Sequence, residues 1–269
     1  MVEAGPIFEH LQSEFFAALE ACRVRPKREA VHQLRTTTRR MEALLNAAKR
    51  SRRGNVKFGR RVDKALKALE PIRKAAGPVR DMDVQRGLLG DLLKATEVTI
   101  SIDKGSVVNN EGRKLQAKLK KYRKDAATEL AFIIADVANE ELKRLSPLNL
   151  VLSGTIWMSL LKKARAVERR SARRLDVADP TSLHDYRKGS KSARYLAEME
   201  DGSALAKQFA KRMKKVLDAI GAWHDWLLLA QLAKETLGKS SALAKLLKKK
   251  RDRALRQAVG AVERLHRQA

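Results

Sequence analysis

Cysteine, aromatic residues and long apolar runs are all scarce in this sequence. Cys22 is the only cysteine, which excludes an intrachain disulfide and a thiolate metal cluster. Aromatic residues make up 4% of the chain, which is few for a surface that stacks on nucleic-acid bases. Apolar runs such as LAFIIADVA and WLLLAQLA are far shorter than a membrane span. The opening MVEAGPIFEHLQSEFF has acids where a signal peptide needs a basic segment and an apolar core, so we expect a cytoplasmic protein without a membrane partner.

Basic residues dominate what is present. The chain has 58 Lys and Arg against 31 Asp and Glu, which gives a formal net charge of +27 at pH 7. A monomer this cationic repels itself, so we expect it to meet a polyanion: nucleic acid, an anionic membrane or an inorganic phosphate polymer. Its 269 residues, 44% of them hydrophobic, are enough for about two domains with apolar cores.

The apolar residues recur at three- and four-residue steps almost throughout, which predicts an all-α fold. A loop is predicted over TEVTISIDKGSVVNN, residues 96–110, because this segment favours strand and is broken by Gly and Asn. Pro147 in LSPLNL, residues 145–150, predicts a junction between two domains, 1–148 and 149–269. The predicted helices are 6–23, 27–51, 55–76, 79–96, 107–144, 154–175, 181–200, 203–220, 221–237 and 241–267.

An internal repeat connects the two predicted domains. At a shift of 152, AVHQLRTTTRRMEALL from Ala30 aligns with SLHDYRKGSKSARYLA from Ser182. FGRRVDKAL from Phe58 aligns with FAKRMKKVL from Phe209 at a shift of 151, and GPVRDMDV aligns with GAWHDWLL at a shift of 144. The change of shift predicts an insertion or deletion between these segments. The repeat predicts two similar antiparallel helical bundles related by a pseudo-twofold axis.

The repeated segment contains a row of cations. His32, Arg35 and Arg39 are spaced i, i+3, i+7, which places them within about 60° of one another on a helix. An arginine fork holds two phosphate oxygens at once and a lysine is a mobile point charge, so a mixed row suits a flexible chain of phosphates. A single basic helix face is usually solvated surface, but the repetition of this row favours binding. The equivalent row in the second half is His184, Arg187 and Lys191.

Neighbouring side chains extend the predicted phosphate-binding set. Thr36 and Thr37 would add hydroxyl donors beside the first row, and both histidines would be protonated next to phosphate. The other cations of the set are Arg40, Lys49, Arg53, Arg60, Arg61, Lys64, Arg73 and Arg80 in the first half, and Lys188, Arg194, Lys207, Lys211, Arg212, Lys214 and Lys215 in the second.

Two other kinds of site are compatible with parts of the sequence. His184-Asp185 and His224-Asp225 are similar to the metal ligands of all-α phosphohydrolases, but these dipeptides do not recur in the first half and nearby arginines would repel a metal. Asp81 and Asp225 are more simply helix N-terminal charges, or partners that orient an arginine. Any cationic cleft also binds nucleic acid through counterion release.

The repeated segments resemble a known family. VHQLRTTTRRMEALL and LHDYRKGSKSARYLAEM, each followed by a basic helix and then by GPVRDMDV or GAWHDW, resemble the two halves of a CHAD domain, the conserved-histidine α-helical domain. The resemblance covers essentially the whole chain. It implies two helical bundles with an internal twofold, a basic central groove that binds inorganic polyphosphate, and association with polyphosphate granules.

The second half departs from the first in two ways. His224-Asp225-Trp226-Leu227 stands where the first half has Arg80-Asp81-Met82-Asp83. Gly189 is expected to interrupt its histidine helix, at about 1 kcal/mol relative to Ala. We predict a polyphosphate-binding protein without enzymatic activity, metal or cofactor. Sequence-nonspecific nucleic-acid binding is the first alternative and metal-dependent phosphate hydrolysis is the second.

Overall fold

The computed structural model is almost entirely helical, so the predicted all-α class is confirmed. It describes residues 1–52, 54–99, 102–138, 145, 148–153, 155–177 and 179–267. No helix within these ranges is both long and apolar enough to cross a membrane. The helices are α1 (Ala4–Val24), α2 (Arg28–Ser51), α3 (Val56–Thr99), α4 (Ile102–Ala138), α5 (Leu148–Leu152), α6 (Leu160–Ala172), α7 (Pro180–Glu198), α8 (Ala204–Leu237) and α9 (Ala242–Arg267).

Helices α3 and α8 are each continuous where the sequence predicted two shorter helices. The predicted breaks fell at GPVRD and at GAWHD, yet both segments lie inside a helix. Pro71 and Pro78 are tolerated in α3 although each removes one backbone hydrogen bond. The carbonyls that lose a partner belong to Lys67 and Lys74, which are exposed and therefore open to water. Tertiary packing along the apolar side of α3 outweighs these local signals.

Three other boundaries differ from the prediction. The predicted loop 96–110 is largely helical, because α3 extends to Thr99 and α4 begins at Ile102. The predicted helix 154–175 is shorter, since α6 begins at Leu160, where Ser159 accepts the backbone N–H of Lys162 as the N-cap. The residues before α6 form a strand, β2 (Ile156–Trp157), which pairs antiparallel with β1 (Val2–Glu3). Residues 139–144 of the predicted fifth helix, 107–144, lie outside the described ranges.

The order of helix packing repeats along the chain. Helices α1, α2, α3 and α4 pack one against the next, and α6, α7, α8 and α9 do the same in the second half. Across the halves α2 packs on α7, α3 on α8, and α4 on α9, so each of these helices contacts its own repeat counterpart. This is the arrangement that a pseudo-twofold between two bundles requires. The boundary at 148/149 stays a prediction.

The largest apolar core is shared by the two halves. Phe8, Leu34 and Ile72 of the first half lie in one buried cluster with Leu196 and Met213 of the second. A second cluster joins the far ends of α3 and α4 to α8 and α9, and a third lies within the second half. Each bundle therefore packs part of its apolar core against the other bundle.

Gly189 does not interrupt α7, which is continuous from Pro180 to Glu198. A Cβ at this position would lie 2.9 Å from the Cβ of Ser171 on α6. The glycine therefore allows α6 and α7 to approach closely, which explains a residue that the sequence alone presents only as a defect.

Candidate functional site

The two histidine helices lie side by side where the halves meet. On α2, Val31, Leu34 and Met41 are fully buried, and the cations occupy the neighbouring face. On α7, Leu183 and Ala193 are buried in the same way. Since α2 packs against α7, the basic rows of the two halves converge on one place. We call it the central site; it contains His32, Arg35 and Arg39 of α2, Arg80 and Asp81 of α3, His184, Arg187 and Lys191 of α7, and His224 and Asp225 of α8.

Two repeat-equivalent glycines make room for the two arginines. Gly77 of α3 faces Arg35, whose Nη1 would lie 3.1 Å from a Cβ at that position. Gly221 of α8 faces Arg187, whose Nη2 would lie 3.6 Å from a Cβ there. Each guanidinium therefore lies against a helix backbone that carries no side chain at the crossing. The only sequence signal for these glycines is that GPVRD and GAWHD both begin with glycine, and the sequence analysis predicts no role for either.

An ion pair joins the halves inside the central site. Arg80 Nη1 donates to Asp225 Oδ1 at 3.0 Å, across from one half to the other, and to Asp81 Oδ1 at 3.2 Å. Burial raises the pKa of Asp225, but His224 and Arg80 outweigh it, so this pKa lies below its usual value. Of the two roles predicted for Asp81 and Asp225, that of orienting an arginine fits. The helix-N-terminal role is wrong, because both lie in the interior of long helices.

Arg35, Arg187 and Lys191 have no ion-pair partner within the described part of the chain, although all three are partly or largely buried. Arg187 is 9% exposed and its Nε lacks a hydrogen-bond partner among the described residues. Burial lowers the pKa of Arg35, and the charges of Arg39, Arg80 and Arg187 add to it, against the opposing effect of Asp81. Burial together with Arg187, Arg35, Arg80 and Arg39 lowers the pKa of Lys191 to about 7.

The histidines lie at the two ends of this cluster. His184 stacks on His224 with ring centroids 5.0 Å apart, and His32 lines a cavity with Arg80 at the equivalent place in the first half. Burial and neighbouring cations lower the pKa of both His32 and His184. In the empty site both imidazoles are therefore neutral at pH 7, and a bound anion would have to raise their pKa to protonate them.

Other predicted cations are engaged in ion pairs outside the central site. Arg40 reaches Glu198 at 3.6 Å, and Arg194 reaches the same carboxylate at 2.6 Å, on the side where α1, α2 and α7 meet. Arg73 donates to Glu42 at 2.8 Å, which lies beside Arg39 on α2. Three more cations pair with acids on the exposed surface: Lys49 with Asp63, Lys188 with Asp185, and Lys214 with Asp218.

The remaining predicted cations are exposed, and those on α3 are distant from Arg80 along the helix. Lys64 precedes Arg80 by sixteen residues, about 24 Å of helix. On α8, Lys215 precedes Gly221 by six residues, about 9 Å of helix, so the cations of this helix come nearer to the central site than those of α3. Arg53 lies outside the described residues. The exposed cations are Arg60, Arg61 and Lys64 on α3, and Lys207, Lys211, Arg212 and Lys215 on α8.

Thr37 is not a donor to the site. Its side chain is fully buried, and its hydroxyl donates to the backbone carbonyl of Gln33 on its own helix. Thr38 likewise donates to the carbonyl of Leu34. A threonine in a helix satisfies its hydroxyl in this way whenever water is excluded, so the prediction for Thr37 is wrong for a local reason. Thr36, by contrast, is partly exposed on α2.

Only one of the two predicted alignments between α3 and α8 can hold, because both helices are continuous. Phe58 precedes Gly77 by about 28 Å of uninterrupted helix, whereas Phe209 precedes Gly221 by about 18 Å. The two pairs cannot both superpose, and the shared contacts to Arg35 and Arg187 identify the glycines as equivalent. The shift still changes from 152 at Arg35 and Arg187 to 144 at Gly77 and Gly221, so the predicted insertion or deletion lies between these positions, a stretch that includes the connection from α2 to α3 and that from α7 to α8. The two alignments differ by seven residues, two helical turns, so both match the same helix face and the sequence could not separate them.

Metal ligands are not clustered in the described part of the chain, where no three of its His, Cys, Asp and Glu side chains come together to hold a metal. Asp225, one of the candidate ligands, accepts a hydrogen bond from Arg80. The arrangement that the structure does show is one of guanidinium, ammonium and imidazole groups around two oriented carboxylates. Such a set attracts an anion and holds it by charge-assisted hydrogen bonds.

Fold and site together define an all-α protein with a duplicated helical bundle and a cluster of cations where its halves meet. A family model for the CHAD domain matches residues 7–234, and the chain therefore belongs to this family. Family membership supports a polyphosphate-related role for the chain.

Two solved structures share the fold. The crystal structure of the CHAD domain from the plant Ricinus communis has a TM-score of 0.58 and 19% identity, over 94% of this chain and 84% of that one. PptA from Streptomyces chartreusis has a TM-score of 0.63 and 15% identity, over 96% of this chain and 94% of that one. None of the curated proteins matches this sequence.

Proposed function

We propose that the protein binds inorganic polyphosphate in the central site, without catalysing a reaction. The observation that carries this proposal is the convergence of Arg35, Arg187 and Lys191 from two halves of the chain, partly buried and without an ion-pair partner among the described residues. The proposal extends to association with polyphosphate granules, where many such chains are concentrated.

Without a bound anion, the unpaired cations of the central site destabilise the folded protein. A charge held away from water without a partner destabilises the folded state by several kcal/mol in the limit of full burial. A polyanion between α2 and α7 would remove this penalty at several positions at once. The two arginine forks come from opposite halves of the chain and Lys191 lies near both, so successive phosphates of one chain would each find a donor.

The position of the aromatic residues favours a phosphate chain over nucleic acid. Trp157, Trp223, Phe58 and Phe209 are each at most 8% exposed and lie in the apolar cores. These four offer no surface on which bases could stack, and the exposed Tyr122 and Phe132 lie on α4, which contributes no side chain to the central site. The central site itself presents cations and imidazoles, which recognise phosphate, so nucleic acid would be held only by its backbone.

A competition experiment tests the proposal. Long-chain polyphosphate and single-stranded DNA with the same number of phosphates compete for the protein at near-physiological salt. We expect polyphosphate to win, and Arg35→Ala combined with Arg187→Ala to weaken its binding at least about tenfold, a loss of 1.4 kcal/mol.

The matched control is Lys162→Ala combined with Arg165→Ala, which removes two exposed cations from α6. We expect it to bind almost as the parent protein does, because exposed charges are screened by salt. Equal losses in the two double variants, with both folded, would show that net charge alone attracts polyphosphate. Preference for DNA would favour the nucleic-acid alternative, and a tightly bound stoichiometric divalent metal would favour the hydrolase.

A further inference from the structure

A second basic cavity lies in the first half, outside the central site. It is a groove of about 1130 Å³ between the α1–α2 connection, the middle of α3 and the middle of α4. We call it the first-half groove. Lys120 and Lys124 of α4 line one side, Arg86 of α3 lies at its floor, and Arg25 and Arg28 line the other side. A smaller cavity of about 650 Å³ continues it along α4 to Arg113.

The first-half groove is continuous with the central site. Arg28 and Asp83 line the groove and the smaller cavity, and they also line a third cavity that contains His32 and Arg80. An extended chain can therefore pass from the central site over Arg28 into the groove without leaving the surface. From Arg113 to Lys124 the groove follows α4 for about 16 Å.

The charge at this passage is positive. Two carboxylates lie among these cations: Glu29, which lines the groove and the cavity with His32, and Asp83, which lines all three cavities and accepts a hydrogen bond from Arg123 at 3.1 Å. Arg123 also donates to the backbone carbonyl of Pro26 at 2.6 Å and so fixes the α1–α2 connection. Arg28, Arg86, Lys120 and Lys124 make no ion pair with any described residue, and all four are exposed.

The second half is filled at the corresponding place. The repeat counterparts of Arg23 and Arg25 are Leu175 and Val177, which pack on an apolar cluster of α7, α8 and α9. His266 of α9 packs edge-on against Tyr186 there, with ring centroids 5.8 Å apart. The groove is therefore a property of the first half and not of the repeated unit.

We propose that the first-half groove binds the part of a long polyphosphate chain that extends beyond the central site. This inference rests on the proposed function and adds a direction to it: the chain leaves the central site over Arg28 and continues between α1 and α4. Short phosphate chains then bind through the central site alone, and long chains bind through both.

The test compares chain lengths in a triple variant of Arg86→Ala, Lys120→Ala and Lys124→Ala. All three side chains are exposed and lack ion pairs among the described residues, so we expect the variant to fold normally. Its affinity for long-chain polyphosphate should fall at least about tenfold, and its affinity for tripolyphosphate should change less than about twofold.

The matched control removes three exposed cations from one face of α6: Lys162→Ala, Arg165→Ala and Arg169→Ala. It should change binding of both ligands equally and slightly. The inference is overturned if both triple variants lose the same affinity for long-chain polyphosphate. It is also overturned if the groove variant loses as much affinity for tripolyphosphate as it loses for the long chain. Failure of the proposed function gives a different result, because the parent protein would then show no preference for polyphosphate over DNA.

Discussion

At the scale of single residues, the central site depends on two positions that lack a side chain. Gly77 and Gly221 face Arg35 and Arg187: a Cβ at Gly77 would crowd the Arg35 guanidinium at 3.1 Å, whereas a Cβ at Gly221 would lie at an ordinary contact distance of 3.6 Å from Arg187. A helix interior normally disfavours glycine by about 1 kcal/mol relative to alanine. The chain therefore gives up some helix stability for the placement of two cations.

Replacing Gly77 by alanine separates these two effects. The new Cβ would lie 3.1 Å from Arg35 Nη1, so the guanidinium must shift, and we expect weaker polyphosphate binding, by about threefold to tenfold, with equal or greater stability. Titration calorimetry and thermal unfolding check the two parts. Gly90→Ala is the control on the same helix, since nothing lies within 4 Å of its Cβ position. Equal binding by both variants would show that the contact between Gly77 and Arg35 does not affect binding.

Lys191 gives the site a pH dependence. Its pKa is lowered from 10.5 to about 7 in the folded protein, so between these values the unfolded chain binds one proton more than the folded chain. Stability of the ligand-free protein should therefore rise with pH across this window. A bound polyanion raises the pKa of Lys191 again, so binding at pH 8 should take up close to one proton, and affinity should fall as pH increases above 7.

Calorimetry in buffers of different ionisation enthalpy measures this uptake. Lys191→Met keeps the aliphatic stem but has no proton to gain, so its uptake at pH 8 should be smaller by nearly one proton. His32 and His184 are present in both proteins, so any proton that they take up on binding cancels in the comparison. An unchanged uptake in the variant would contradict the assignment.

At the scale of elements, one helix carries adjacent arginines with different tasks. Arg39 faces the central site and has one long ion pair, to Glu42 at 3.7 Å. Arg40, about 100° further around α2, faces α7 and α1 and pairs with Glu198 at 3.6 Å and Glu14 at 4.0 Å. We therefore expect the same sequence motif to contribute to binding through Arg39 and to helix packing through Arg40.

Alanine at each position should separate binding from packing. Arg39→Ala is expected to weaken polyphosphate binding about tenfold with little change in stability. Arg40→Ala is expected to lower the free energy of unfolding by less than about 1 kcal/mol, because its ion pairs are partly exposed, and to leave binding nearly unchanged. Denaturant unfolding and binding titrations on both variants check this. If Arg40→Ala weakened binding and Arg39→Ala did not, Arg40 would belong to the central site.

The elements also show how far the sequence alone can predict such a site. The three-to-four-residue periodicity predicted α2 and α7 and the rows with Arg35 and Arg187, because those helices are amphipathic along their whole length. The same reasoning divided α3 and α8 at Gly77 and Gly221, since a local pattern cannot show that a glycine is required by a facing arginine. It also grouped exposed cations with Arg80, because side chains on one helix can be 24 Å apart and still alternate in the same pattern.

At the scale of the whole molecule, the two halves hold like charges together. Two arginines and a lysine without ion-pair partners in the described ranges lie where α2 and α7 pack, in a chain of net charge +27. Packing of the shared apolar core holds them there against their repulsion. Most of the folded protein's response to polyphosphate should therefore come from relief of this repulsion.

Removing the charges without removing the side-chain volume tests this. Arg35→Met combined with Arg187→Met should raise the free energy of unfolding of the ligand-free protein, by about 1 kcal/mol, because apolar groups replace unpaired buried charges. The same variant should lose most of the rise in Tm that polyphosphate gives the parent protein, which at a hundredfold excess over Kd corresponds to about 2.7 kcal/mol. Thermal unfolding with and without polyphosphate measures both the stability of the variant and its rise in Tm. A variant that is less stable than the parent and still gains the full rise in Tm would contradict the role of charge repulsion.

The buried cluster that joins both halves has a consequence for how the chain is made. Phe8 and Leu34 are synthesised early, but their partners Leu196 and Met213 emerge from the ribosome much later. The pairing of Val2–Glu3 with Ile156–Trp157 is delayed in the same way. We therefore expect a nascent first half to remain incompletely packed until α8 has been translated.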